Sequence, residues 1–354
     1  MKHFYRQWVL FLVVVILVPC QSGFSQAKKN IVILATGGTI AGAAPTGTQV
    51  GYTSGQVGID TMINAVPGIK DLANIKGEQI SNVGSQDMSF EILLKLANRI
   101  NELTSGDVDG IVITHGTDTM EESAYFLNLT AKTDKPVVLV GSMRPSTAVS
   151  ADGPLNLYNA VAVAADPQSR DRGVLVVMND HIHAAHSLTK TSTTDVQTFM
   201  SPIRGLVGVV SYGKCDFYNT PPWKHTSGSE FNVSGVTKLP RVDIIYADVD
   251  MSPDLIDDSA KGGAKGIVIA GVGNGNMTQA AVDAAARAVT KGVVVVRSSR
   301  VTTGLVGRNV ELNDDKLGFI ASDELNPQKS RILLSLALLK PRSPSDIQQL
   351  FMTY

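Results

Sequence analysis

Seven short runs rich in Val and Ile recur along the chain: Ile31–Ala35, Gly110–Thr114, Val137–Gly141, Val174–Met178, Val242–Tyr246, Gly266–Ala270 and Val293–Arg297. Turn residues bound each run. Near-continuous apolar runs of this length suit strands covered on both faces. Between them the period changes. In Phe90–Leu103, Ile92, Leu93, Leu96, Ala97, Ile100 and Leu103 fall on one face of a helix. Ala280–Lys291 reads as a second helix, with Thr278 nearby as N-cap and Gly292 as the stop. Asn326-Pro327 introduces a third, whose apolar part is Ile332 to Leu339. Strands alternating with helices predict an open α/β fold with parallel strands. No internal repeat is evident.

Two segments break the rhythm. Tyr218 to Pro240 carries Pro221, Pro222, Gly228, Ser229, Ser234, Gly235 and Pro240 without sustained periodicity. It reads as a linker ordered by surface contacts. The expected organisation is an N-terminal catalytic α/β domain over 28–218, a linker over 219–240, and a C-terminal α/β domain over 241–354. The first should hold the larger open sheet, mixed or parallel, flanked by helices. The second should be smaller and parallel. The other exception is the start of the chain. Lys2 and Arg6 precede an unbroken apolar run, Trp8 to Val18, and Ser25-x-Ala27 offers a small-residue cleavage site. Residues 1–27 read as a secretory signal peptide, its apolar part too short to span a bilayer. A periplasmic or secreted protein, with no membrane attachment after cleavage, is the expectation. "LVPC", ending at Cys20, resembles a lipobox, although Pro before Cys fits it poorly.

Composition narrows the function. A chain of 354 residues suits two domains. Its formal net charge of −1, without clustered Lys and Arg, argues against a nucleic-acid partner. Loss of the leader leaves Cys215 as the only cysteine, so the mature monomer has no internal disulfide. There is no CxxC pair to suggest zinc or iron–sulfur binding.

In open α/β sheets, ligands bind beyond the carboxyl ends of the strands. The residues there are Thr36-Gly37-Gly38-Thr39, "THGTDTMEE" (Thr114 to Glu122), "GSMRPS" (Gly141 to Ser146) and "MND" (Met178–Asp180), with Lys190 further on. "NVGSQDM", Asn82 to Met88, would close the same rim. A hydroxyl nucleophile needs a base and a site for the developing oxyanion. Thr117 beside Asp118, with a lysine reaching in, supplies such a set: neutral Lys190 takes the proton, Asp118 orients it, and turn N–H groups face the oxyanion. There is no Gly-x-Ser-x-Gly elbow.

Each residue alone has an ordinary reading. Gly37-Gly38 makes a tight βα turn, Thr39 a helix cap, Lys190 a surface charge, and His115 a buried histidine. Asp118 and Thr119 cap the following helix. "GVGNGN" (Gly271 to Asn276) fails the dinucleotide spacing, because position 278 is Thr. "HIHAAH" places His181, His183 and His186 where two could share a strand face and hold a metal, but no carboxylate-rich or cysteine partner accompanies them.

Together the motifs are far more specific. The chain resembles the bacterial type II L-asparaginases over about residues 29–354. "ATGGTIAG" (Ala35–Gly42) and "GIVITHGTDTMEESAYFL" (Gly110–Leu127) look like the two family signatures. "GSQDM", "RPSTAVSADGPLNLYNA", "GVLVVMND", "TKTSTTD", "GVGNGN", "VRSSR" and "NPQK" follow in the family's order. The resemblance implies hydrolysis of L-asparagine to L-aspartate and ammonia, without metal or organic cofactor, through a threonine-linked acyl-enzyme. It implies Thr39 as nucleophile, with Tyr52 of "GYTSG" on a mobile loop beside it. Thr117, Lys190 and Asp118 match the second triad. Ser85 and Gln86 match residues holding the α-carboxylate and α-ammonium group, which Asp118 also faces. Asn276 and Glu311 match residues that reach the site from a neighbouring subunit, so the resemblance implies a homotetramer built as a dimer of dimers. Asn276, where relatives that accept glutamine well tend to have Ser, favours asparagine. Comparable glutaminase activity is the alternative. The chain departs from the family in lacking the cysteine pair bridged in some relatives. It also has three histidines in 181–187, where acidic and arginine residues are common.

Overall fold

The computed structural model describes residues 27–48 and 53–354. Tyr52 lies outside the described residues, as does the expected leader apart from Ala27. The apolar runs become strands. In chain order the first five are β1 (Lys29–Gly37), β2 (Ala73–Val83), β3 (Gly110–Thr114), β4 (Val137–Val140) and β5 (Val174–Met178). Next come β6 (His181–Ala184), β7 (Thr189–Lys190), β8 (Phe199–Met200), β9 (Gly208–Ser211) and β10 (Lys214–Phe217). The last four are β11 (Val242–Tyr246), β12 (Gly266–Gly271), β13 (Val294–Ser299) and β14 (Ile320–Ala321). The helices are α1 (Ile59–Asn64), α2 (Ile69–Leu72), α3 (Phe90–Thr104), α4 (Met120–Thr130) and α5 (Gly153–Ala165), then α6 (Asp254–Lys261), α7 (Gln279–Thr290), α8 (Asp314–Leu317), α9 (Pro327–Ala337) and α10 (Pro344–Thr353).

The large sheet has the order β10-β9-β6-β5-β4-β3-β1-β2. Strands β2, β1, β3, β4 and β5 are parallel, and β6, β9 and β10 are antiparallel. The small sheet, β11-β12-β13-β14, is wholly parallel. The fold is therefore α/β in two domains, the larger mixed and the smaller parallel.

Alternate residues of the buried strands go to opposite faces, as the two-residue period requires. On one face of the large sheet, Val32, Leu34, Ile111, Ile113, Leu139 and Val176 meet α3 and α4. This core continues without a break into α9 and α10 and into Val242, Val268 and Val296 of the small sheet. On the other face, Ile31, Ile33, Val112, Val140 and Val177 meet α5 and α1. A third cluster packs Ile245, Ile267, Ile269 and Val295 against α6 and α7. The three helices read from the sequence start at side-chain caps. Ser89 accepts from the Ile92 N–H, Thr278 from Ala281 and Asn326 from Lys329.

Two features depart from the sequence reading. β2 carries Asn74, Lys76, Glu78 and Gln79, because it is an edge strand with one flank in solvent. And β5 does not feed a helix. Asn179 and Asp180, at φ 51° and 64°, form a two-residue turn of the I′ kind that returns the chain as antiparallel β6. "MND" is a hairpin turn. In residues 218–241, Thr226–Gly228 forms a single 3₁₀ turn, while Phe231, Val233 and Leu239 are buried in the shared core.

Candidate active site

The carboxyl ends of β1 and β3 lie side by side. Ala35 of β1 pairs with Thr114 of β3, and each strand leads straight into a glycine turn. Gly37 and Gly38 sit at φ 109° and 79°, a region that disfavours residues with a Cβ. Close approach is the second requirement. A Cβ on Gly38 would lie 2.3 Å from the Gly116 nitrogen, and one on Gly37 would lie 2.5 Å from the Val83 oxygen. A Cβ on Gly116 would lie 2.6 Å from Ser85 Oγ. Missing side chains thus let three turns touch: the one carrying Thr39, the one carrying Thr117 and the one carrying Ser85.

Thr36 is locked by its hydroxyl, which donates to the Thr114 carbonyl at 2.8 Å. Thr39, three residues later, opens the 3₁₀ turn Thr39–Ala41 and is buried. Gly38, not Thr39, occupies the cap position of that turn.

Lys190 reaches this cluster from β7, a two-residue strand paired with Phe199–Met200. Its Nζ lies 3.0 Å from Thr117 Oγ1 and 2.6 Å from Asp118 Oδ1. Thr117 is buried, while the Asp118 side chain is more than half exposed, at 59 %. The set is therefore a hydroxyl in the floor, a carboxylate at the mouth, and an amine between them. Ser85 is buried, and its Oγ accepts from the Asp118 N–H at 3.1 Å. Its carbonyl accepts from the Thr119 hydroxyl at 2.7 Å. Thr119 thus ties two turns together and does not cap α4 with its side chain. Gln86 is exposed, its amide 3.3 Å from Asp87 Oδ2. His115 is wholly buried, and burial pushes its imidazole down to about 4. It is a neutral part of the turn wall, its Nδ1 2.6 Å from the Gly116 carbonyl.

Asn276 and Glu311 lie elsewhere, on the small domain. Asn276 Nδ2 donates to Glu311 Oε2 at 2.5 Å. "GVGNGN" is a tight loop closed by paired Val272–Asn276 backbone bonds beyond β12. Neither residue has a hydrogen bond to Thr39, Thr117, Asp118 or Lys190 among the described residues.

Two groups around the site escaped sequence reasoning. The buried Arg297 guanidinium forks onto the equally buried Asp314 carboxylate at 2.7 and 2.8 Å. It also donates to the carbonyls of Asn274, Gly275 and Gly307. This pair fixes the loops that carry Asn276 and Glu311. Its signal was an arginine ending the apolar run Val293–Val296. The second group is Gln328 and Lys329, at the start of α9. Lys329 is buried and donates to the carbonyls of His186 and Leu188. The three histidines are not a metal set. His183 Nδ1 pairs with Ser201 Oγ at 2.9 Å, and His186 stacks on Trp223 at 3.6 Å between ring centres. Among the described residues no group of three His, Cys, Asp or Glu is placed to hold a metal ion.

Comparison with known proteins places the chain in a family. Residues 30–223 match the family described as "Asparaginase, N-terminal", and residues 241–351 match the "Glutaminase/Asparaginase C-terminal domain". The chain is 54% identical to "L-asparaginase 2" of Escherichia coli (strain K12), over 94% of this chain and 95% of that protein. It is 55% identical to "Probable L-asparaginase periplasmic" of Haemophilus influenzae, over 91% and 92% of the two. The crystal structure of "Probable Cytoplasmic L-asparaginase" from Campylobacter jejuni superposes with a TM-score of 0.90 at 49% identity, covering 92% of this chain and all of the other. The chain belongs to the asparaginase family.

Proposed function

We propose that this chain hydrolyses the side-chain amide of L-asparagine to L-aspartate and ammonia through an ester on Thr39. The observation that carries the reading is the contact of the Gly38 and Gly116 turns, with Lys190 bonded to both Thr117 and Asp118. The names of relatives at 54% and 55% identity support the same substrate.

In the first step Thr39 Oγ1 attacks the amide carbon. The C–N bond breaks, and ammonia leaves with the hydroxyl proton. Water then adds to the ester, the bond to Thr39 breaks, and the hydroxyl is restored. Thr117 orients the amide and later the water. The Lys190 amine, held by Asp118, relays the proton. Within the Thr117 turn, the His115 and Asp118 N–H groups already donate to Val140 and Ser85. The Gly116 nitrogen lies under Gly38. The Thr117 N–H is the donor assigned to the oxyanion. Ser85, Gln86 and Asp118 take the α-carboxylate and α-ammonium ends. Tyr52, by its place in "GYTSG", covers the nucleophile. No metal or organic cofactor enters the scheme.

Asn276 and Glu311 are assigned to a neighbouring copy's site, in a tetramer that is a dimer of dimers. The leader pattern in residues 1–27 and the periplasmic name of the Haemophilus relative favour export. None of the described helices is long and apolar enough to cross a membrane.

Ammonia release from L-asparagine tests the reading. Lys190→Met should lower kcat by about 10²- to 10⁴-fold. Full activity in that variant would remove Lys190 from the mechanism. The kcat/KM for L-asparagine should exceed that for L-glutamine, and near-equal values would favour the dual-substrate alternative.

A further inference from the structure

The catalytic amine stands on weak local support. β7 and β8 are two residues each, Thr189 opposite Met200 and Lys190 opposite Phe199. So short a ribbon does not hold its own register in water. Something outside it must fix where the Lys190 backbone lies.

That support comes from the small domain. Asn326 caps α9 and Pro327 opens it, which fixes the helix start to the residue. The next two side chains then diverge. Lys329 Nζ donates to the His186 carbonyl at 2.7 Å and to the Leu188 carbonyl, just ahead of β7. Gln328 Nε2 donates to Glu121 Oε1 at 2.5 Å, in the first turn of α4, directly behind Thr117 and Asp118. One helical turn therefore grips both sides of the Lys190–Thr117 contact. A cavity of about 270 Å³ separates the same turn from Lys190, lined by Lys190, Ala270, Ser299, Arg300, Asn326 and Gln328.

The chemistry is costly for a mere domain contact. Lys329 is wholly buried, and burial pushes its ammonium down to about 8 against the opposing pull of Glu121. Glu121 is itself buried, and its Oε2 has no partner among the described residues. An apolar pair would join two helices without burying charge. Polar groups here give what apolar packing cannot, a defined distance and direction to particular backbone carbonyls.

We propose that Gln328 and Lys329 are positioning residues, by which the small domain holds the Lys190 amine and the Thr117–Asp118 turn at reacting distance. The proposal rests on the catalytic reading of Lys190 given above.

A double-mutant cycle in the full chain tests it. Lys329→Met and Gln328→Leu are each made alone and in the Lys190→Met background. Ammonia release from L-asparagine is measured per folded active site. With Lys190 present, each α9 variant should lower kcat by about tenfold to a hundredfold while KM stays within about threefold. With Lys190 absent, each should lower the residual rate by clearly less than with Lys190 present, Gln328→Leu keeping only what its hold on the Thr117–Asp118 turn contributes. An equal loss in both backgrounds, or unchanged kcat, overturns the proposal. Gln328→Leu keeps the test decisive if Lys329→Met does not fold, because Gln328 is only half-buried. If Lys190→Met alone retains full activity, the catalytic reading falls and the proposal with it. If Lys190→Met is inactive and the α9 variants are unimpaired, only the proposal falls.

Discussion

Gly38, like Gly37 beside it, meets two demands at once, a positive φ and a close backbone approach, here 2.3 Å to the Gly116 nitrogen. Gly38→Ala should therefore destabilise the protein by about 2–4 kcal/mol, from left-handed strain plus a clash with backbone. Gly292→Ala, with φ 82° but open space around its Cβ position, should cost only about 1 kcal/mol. Urea denaturation compares the two directly, and equal losses would contradict the contact between the turns. The histidines make a second prediction. Burial depresses His115 to about 4 and His183 to about 3, below the ordinary value of 6.5. His181 and Lys329 lie near enough to push His183 the same way. Between pH 6.5 and these values the unfolded chain takes up protons that the native protein refuses. Their stabilising effect is thus complete above pH 6.5 and is lost as pH falls towards about 4 and 3. Melting temperature should decline through this window, and His183→Asn should flatten the decline; an unchanged slope would contradict the burial argument. At this scale the sequence was informative where chemistry clustered. Thr117, Asp118 and Lys190 were grouped from residue type and rim position and Thr39 was added by the resemblance, whereas the meeting of Gly38 with Gly116 needed coordinates.

Elements were legible in proportion to their burial. β1, β3, β4, β5, β12 and β13 lie inside sheets, so solvent does not dilute their apolar runs. β2 and β10 are polar edge strands and β7 is two residues long, so none of them carries a signal above its surroundings, whereas β11, also an edge, keeps an apolar run that was read. The hairpin at Asn179-Asp180 was readable in principle, since both residues tolerate left-handed backbone. Arg297 on β13 and Asp314 at the start of α8 form an element-scale clamp between loops. Asp314 also accepts from the Asn309 N–H, beside Glu311. Asp314→Ala would strand a buried guanidinium and should destabilise the protein by about 3–5 kcal/mol. Chemical denaturation measures this, and a loss below about 1 kcal/mol would mean that the pair is solvated.

The two main sheets share one apolar core through α4, α9 and α10. The proposed chemistry sits on the large domain, while Asn276 and Glu311 lie on the small one, bonded to each other. That division accords with sites completed between copies of the chain. Exposed Ile244 and Tyr246 on edge strand β11, with Leu255 on α6, offer apolar surface for such an assembly. Analytical ultracentrifugation should find a tetramer, with specific activity falling on dilution below its dissociation range. A fully active monomer would contradict the shared site. This level was closed to composition and periodicity, because nothing in a single chain's pattern marks which exposed residues meet another copy.

The proposed chemistry turns on Thr39, which carries the acyl group of L-asparagine after ammonia has left. The most direct measurement is kcat/KM for ammonia release by Thr39→Ala, beside wild type, with equal folding verified by circular dichroism. A loss of at least about 10³-fold is expected, leaving only what binding and the oxyanion donor supply. A loss of less than about tenfold would contradict this role of Thr39 and move the nucleophile elsewhere in the site.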